Sequence, residues 1–390
     1  MDSPLWKLAA RRAHLDSGNL LRSLTDVINK VQGGINLGQG VCDMDTPAPL
    51  VQGAVTSIQG GDRQLYTPYA GLPELRTKVA QKLREWNGLP VQMENVAITT
   101  GSSGAFFASG TALLEPGDEV ILFEPFYPYH WSNLKLMGAV PKSVRLVGDE
   151  LALDVAALKK AITGKTRAIV VNTPANPSGK VFTRAELEAI ANVVDGTSVL
   201  VFTDEVYAHM CFDGRKHVSP GAVPGLVDRT LTIGGYSKTF SITGWRIGYV
   251  AGNQATIDAI GRVFDQINVC APRPLQRGVQ RALEQLPASF YHELEKAYEK
   301  KRDRFCAALA KAGFRFRKPE GAYYVMADYR DVYGDLDSYD AVLAMIEKVR
   351  VNGVPGKVFH ADPHGVRTIR FQFAVTPPVL EEVCQRFENS

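Results

Sequence analysis

Gly235-Tyr236-Ser237-Lys238-Thr239-Phe240-Ser241-Ile242-Thr243-Gly244-Trp245-Arg246-Ile247-Gly248 sets one lysine and one arginine eight residues apart in a run of small and apolar residues. A lysine in such a run has few ways to sit in water, and a buried amine that loses its charge can attack a carbonyl. An arginine nearby holds a phosphate through its planar fork of donors. An aldehyde that carries a phosphate meets both demands. The competing reading is a solvated surface lysine, and the rest of the chain has to decide between them.

Working outward, short apolar runs alternate with helical patterns. Residues 230–233 (TLTI) and 247–251 (IGYVA) flank the lysine segment as strands. Residues 95–100 (NVAITT), 119–123 (EVILF), 167–172 (RAIVVN) and 198–202 (SVLVF) read the same way, with RAELEAIANVV as a helix between the last two. This alternation predicts an α/β protein with a mostly parallel sheet covered on both faces by helices. Ligands of such sheets bind beyond the carboxyl ends of the strands, and every unusual polar cluster in this chain follows a strand. From residue 288 the texture becomes α+β: a long charged helix to residue 313, a strand-like FRFRKPEGAYYVMADY, a helix near 338–350 and TIRFQFAV. The expected division is residues 1–45 as an N-terminal arm joining a small domain, 46–287 as a large domain, and 288–390 as the remainder of the small domain.

The 390 residues suit two domains. With 45% hydrophobic and 22% charged residues and a dispersed net charge of +3, the composition is that of a soluble globular protein without a nucleic-acid stripe. No apolar run approaches a membrane span, and the N-terminal residues lack the apolar segment of a signal peptide, so the expected location is the cytoplasm. The five cysteines form no CxxC pair, which suits a reducing compartment. The seven histidines show no ligand spacing, and no metal site is expected.

Several clusters can serve a phosphorylated aromatic aldehyde such as pyridoxal phosphate. Gly101-Ser102-Ser103-Gly104 opens a helix after a strand, where amides, hydroxyls and the helix dipole favour an anion; an ordinary glycine-rich turn is the alternative. Asp204 follows SVLVF and can pair with a protonated pyridine nitrogen, or can be a helix N-cap. Glu205 points the other way and receives no role. Asn176, in NTPANPSG, and Tyr207 can each donate to a phenolate oxygen, although Asn-Pro is also a turn signal. Tyr127 can stack on a planar ring or be a half-buried loop aromatic. Arg370, in TIRFQF, alternates with Ile369, Phe371 and Phe373; it can clamp a carboxylate or face solvent.

Together INLGQG, YTPYAGLPELR, TTGSSGA, EPFYPY, NTPANPSG, TDEVY, GYSKTFSITGWRIGY and IRFQF resemble, in order and spacing, the class I aminotransferases, which are pyridoxal-phosphate enzymes of fold type I. The resemblance covers nearly the whole chain. It implies a large domain built on a seven-stranded sheet and a smaller α+β domain. It implies that Lys238 forms the internal aldimine and shuttles the proton, that Asp204 pairs with the ring nitrogen, and that Tyr207 and Asn176 bond the phenolic oxygen. Tyr127 would stack on the ring, and Ser102, Ser103 and Arg246 would bind the phosphate. Many members carry a phosphate-binding serine three residues before the lysine; here that place is Gly235, and Ser237 is the nearest hydroxyl. Tyr66 would reach the phosphate of a neighbouring subunit, implying a homodimer. Arg370, with the backbone at Gly40, would hold the substrate carboxylate.

The IRFQF and LGQG motifs look most like the subgroup of kynurenine, glutamine and methionine aminotransferases. The expected reaction is therefore transamination between a neutral, aromatic or sulfur-bearing amino acid and a 2-oxo acid. A β-eliminating lyase acting on cysteine conjugates or cystathionine is the alternative within the same cofactor class. A non-catalytic effector-binding module is a more distant one, disfavoured by the short N-terminal arm. No sequence feature fixes a second arginine for a dicarboxylic side chain; Arg22 and Arg273 are the candidates.

Overall fold

The computed structural model describes residues 19–42, 44–60 and 62–390. The charge pattern of residues 1–18, on which the reading of the N-terminal targeting signal rests, lies outside them. After the helix Asn19–Asn29 comes a two-residue strand, β1 (Ile35–Asn36). Seven strands then build the main sheet: β2 (Val96–Thr99), β3 (Glu119–Glu124), β4 (Val140–Arg145), β5 (Thr166–Asn172), β6 (Leu200–Asp204), β7 (Thr230–Gly235) and β8 (Gly248–Ala251). Their order is β2-β8-β7-β6-β5-β3-β4. All run parallel except β8, which is antiparallel to both its neighbours.

The sequence explains this arrangement. β2, β6 and β8 are buried almost throughout, as befits strands covered on both faces. Only β4, at the edge, carries polar and exposed residues along most of its length, VPKSVR. The β7–β8 pair, with the lysine segment as its connection, meets at Gly235 and Gly248. Asn172 is in register with Asp204, and Asp204 with Ile233, so β5, β6 and β7 end together on one edge. β2 ends there as well, and the helix Gly101–Leu113 starts from that edge.

The remaining strands form a second layer. β9 (Arg315–Phe316), β10 (Tyr324–Asp328), β12 (Val354–Pro355) and β13 (Thr368–Gln372) make an antiparallel sheet of order β12-β13-β10-β9, and β11 (Val351–Asn352) pairs parallel with β1. Leu24 and Ile28 of the first helix share a core with Tyr298, Phe305, Phe371 and Phe387, so the N-terminal segment packs with the C-terminal part of the chain. The long helix Ala288–Lys311 is locked in place by Arg302, fully buried, whose guanidinium bonds both oxygens of Asp213 at 2.6 and 2.8 Å and the Pro319 carbonyl at 2.9 Å. The FRFRKPEGAYYVMADY run is not one strand: Pro319-Glu320-Gly321 interrupts it between β9 and β10. No helix of the described residues is long and apolar enough to cross a membrane.

Candidate active site

A cavity of about 520 Å³ opens at the edge where β5, β6 and β7 end. Lys238, Asp204, Tyr207, Asn176, Tyr127, Ser102, Ser103, Ser237, Arg246, Gly40 and Arg370 all line it. Segments far apart in sequence therefore converge on one space. Tyr66 does not line it; at 78% exposure it stands out from the surface, on a stretch held by Arg273, which donates to the carbonyls of Leu65 and Tyr66.

The phosphate end is a cradle of glycines and donors. Gly101 has φ +75°, and a Cβ there would stand 2.5 Å from Arg246 Nη2. A Cβ at Gly248 would stand 2.5 Å from the Gly101 carbonyl carbon and 2.6 Å from Ser102 N. The two glycines thus let β8, the helix start and Arg246 approach closely. The helix begins at Gly101, so the amides of Ser102 and Ser103 belong to its first turn, where donors are unpaired and the dipole is positive. Arg246 itself is left-handed, φ +57°, and donates to the Thr243 carbonyl.

At the opposite end of the ring space sits Asp204, buried, its Oδ2 3.0 Å from His130 Nε2. A carboxylate only accepts, so His130 donates. His130 is stacked 4.5 Å from Phe106. The N-cap reading of Asp204 is corrected here: it starts no helix, and its Oδ1 accepts only a 3.3 Å bond from Val206 N. His130 went unnoticed in the sequence, although it lies three residues after Tyr127, on the first turn of the helix Pro128–Leu136. Glu205 also has a place. Buried beside Asp204, it accepts from Thr203 Oγ1, Ser219 Oγ, Asn87 Nδ2 and His217 Nε2 at 3.0, 2.7, 3.2 and 2.6 Å, anchoring the turn that follows β6.

Tyr207 meets Tyr324, with 3.0 Å between the hydroxyls. Burial, reinforced by Tyr324, pushes the Tyr207 phenol well above its ordinary value, so it stays a neutral donor. Burial does the same to Tyr127. Lys238 is half-buried rather than enclosed, because it faces the open cavity; its Nζ donates to the Gly40 carbonyl at 2.6 Å. Arg370 is 4% exposed, which corrects its solvent-facing reading. Its Nη1 donates to Asn176 Oδ1 at 2.8 Å, its Nη2 to the Gly38 carbonyl, and its guanidinium lies 4.4 Å over the Tyr324 ring. Its Nε is buried without a partner.

A nucleophilic amine, a buried carboxylate, phenol and amide donors, and an anion cradle in one cavity define a site for a phosphorylated aromatic aldehyde and an amino acid. The model of the family "Aminotransferase class I and II" matches residues 32–387, and the chain belongs to that family. It is an aminotransferase and depends on pyridoxal phosphate. It is 35% identical over 367 residues, 91% of each chain, to the probable N-succinyldiaminopimelate aminotransferase DapC of Mycobacterium tuberculosis. The solved structure of the N-succinyldiaminopimelate aminotransferase of that organism superposes with TM-score 0.92 at 33% identity, covering 98% of this chain and 99% of that one. An aspartate aminotransferase of Pyrococcus abyssi is 32% identical over 382 residues, 97% of each chain. YbdL from Escherichia coli, whose structure is described with a methionine aminotransferase function, superposes with TM-score 0.91 at 28% identity, covering 96% of this chain and 98% of that one. These names are all aminotransferases and differ in substrate; none is a lyase.

The cavity fits the cofactor. The cradle kept open by Gly101 and Gly248 suits a phosphate, and the His130–Asp204 pair suits a protonated ring nitrogen.

Proposed function

We propose that the chain transfers the amino group of a neutral L-amino acid, aromatic or sulfur-bearing, to a 2-oxo acid in two half-reactions. It acts in the cytoplasm as a homodimer in which Tyr66 reaches the partner's phosphate site. Residues 46–287 hold the cofactor, and residues 1–45 and 288–390 form the small domain. The observation that carries this reading is that the Lys238 amine and the Arg370 guanidinium open on one cavity with Asp204.

Pyridoxal phosphate, when bound, supplies a carbonyl for an amine and a ring that accepts electrons. Ser102, Ser103, Ser237 and Arg246 would hold its phosphate, and Tyr127 would pack against its ring. Asp204, held by His130, would keep the proton on the ring nitrogen. Tyr207 and Asn176 donate to the phenolic oxygen; because Arg370 occupies Asn176 Oδ1, the amide Nδ2 is the end left to donate. Arg370, with the backbone at Gly40, binds the substrate carboxylate and fixes the α-carbon within reach of Lys238 Nζ, which removes and returns its proton.

A panel of amino acids assayed with pyruvate and with 2-oxoglutarate tests the reading. Oxo-acid formation strictly dependent on an acceptor is expected. Release of pyruvate and ammonia from a cysteine conjugate without any acceptor, as the main activity, would contradict it.

A further inference from the structure

One carboxylate on the cavity wall is not used by the cofactor. Asp26 belongs to the helix Asn19–Asn29. Leu24 and Ile28, each 1% exposed, pin that helix to the core, and half-buried Thr25 and exposed Asp26 line the cavity. Hydrogen bonds tie this wall to Arg370: Arg370 Nη2 donates to Gly38 O, Gly38 N to Asn36 Oδ1 at 2.9 Å, and Asn36 Nδ2 to Thr25 Oγ1 at 3.4 Å. Asp26, next to Thr25 in the chain, thus lines the same cavity as Arg370. No ion pair joins it to another described side chain.

The other charges of the cavity are committed. Asp204 is bonded to His130, Arg246 lies against the glycine cradle, and Arg370 is buried against Asn176 and Gly38. Arg273 spends Nε and Nη2 on the carbonyls of Leu65 and Tyr66 and does not line the cavity. The side chain of Arg22 is outside those described. Once Arg370 has taken the α-carboxylate, Asp26 is the carboxylate of the described residues that remains on the cavity wall.

We propose that Asp26 is a specificity-determining residue that reads the distal end of the substrate, disfavouring a second carboxylate and favouring an uncharged or cationic end. The inference rests on the transamination reading. It applies to both half-reactions, since donor and acceptor share the cavity, so pyruvate is the better acceptor and 2-oxoglutarate the poorer. A single charge at an exposed position changes preference by about two- to fivefold.

The test compares the cofactor-loaded protein with Asp26→Asn and Asp26→Lys, using lysine, methionine and glutamate as donors and pyruvate and 2-oxoglutarate as acceptors. The kcat/KM ratio of glutamate to methionine rises about fivefold in Asp26→Asn and further in Asp26→Lys, while the ratio of lysine to methionine falls. Calorimetric Kd values of the matching α-methyl amino acids, which cannot lose an α-proton, shift in the same order. Ratios and Kd values unchanged within twofold overturn the inference. Absence of transfer from every donor overturns the transamination reading instead, and calorimetry still reports whether Asp26 selects charge.

Discussion

Arg370 and Asn176, 194 residues apart, are joined by a 2.8 Å bond from Nη1 to Oδ1. One comes from β13 and the other from the loop after β5, so the bond spans the two layers of the fold at the cavity. It fixes the orientation of the guanidinium and of the amide at once.

Arg370→Lys keeps the charge and loses the planar fork. The expected result is a fall in kcat/KM of about 10²-fold, carried mostly by KM, because a charge-assisted bidentate contact is worth roughly 2–3 kcal/mol. Steady-state kinetics with one good donor measures it; an unchanged KM would place the substrate carboxylate elsewhere.

The Asp204–His130 pair predicts a graded series. Asp204→Asn removes the buried carboxylate and lowers kcat by on the order of 10²-fold or more. His130→Phe keeps the ring packing against Phe106 and lowers kcat by about tenfold, by releasing the orientation of Asp204. Single-turnover rates of the two variants and their double mutant give the coupling. Additive effects would mean that His130 does not act through Asp204.

Gly248→Ala forces a methyl against the Gly101 carbonyl carbon and Ser102 N. Backbone on both sides has to move, and the anion cradle moves with it. Cofactor affinity, followed by fluorescence titration of the apo-protein, weakens at least about tenfold, with a stability loss of roughly 1–3 kcal/mol.

Glu124 predicts an acid limit. Burial alone would raise its carboxyl, but His360, with Nδ1 3.4 Å from Oε2, the Ala361 amide bonded to Oε1 at 2.7 Å and nearby Ser143 outweigh it and lower the pKa to about 2. A group depressed in the folded state stabilises above its unfolded value near 4, and that contribution is lost as pH falls toward about 2. For this buried side chain the contribution is on the order of 2 kcal/mol. Urea unfolding at pH 6, 4 and 2.5 should show Glu124→Gln less stable at pH 6 with a flatter decline below pH 4. A parallel decline would assign the acid sensitivity elsewhere.

Much of the large sheet is legible because β5, β6 and β7 are buried on both faces and read as uninterrupted apolar runs. β6 begins at Leu200, two residues after the run does, because its pairing with β5 starts at Ala168–Leu200, and no local pattern encodes where a neighbouring strand begins. β4 has one fully buried residue, Val144, and thus no apolar run to find. β1, β11 and β12 are two residues each, too short for any period. In the site, residues lying in distinctive motifs were legible. His130 and Tyr324 were not, because what gives them meaning is contact with residues 74 and 117 positions away. Asp26 sits in an ordinary amphipathic helix, and only the packing of Leu24 and Ile28 shows which way it faces.

We propose Lys238 as the amine that joins the cofactor and moves the proton. Borohydride reduction of the loaded protein, followed by peptide mass mapping, tests it most directly, with Lys238→Ala as the control. The cofactor's mass is expected on Lys238 alone, with none in the variant and a loss of transamination of at least about 10³-fold. Cofactor mass on another lysine, or full turnover in Lys238→Ala, would contradict it.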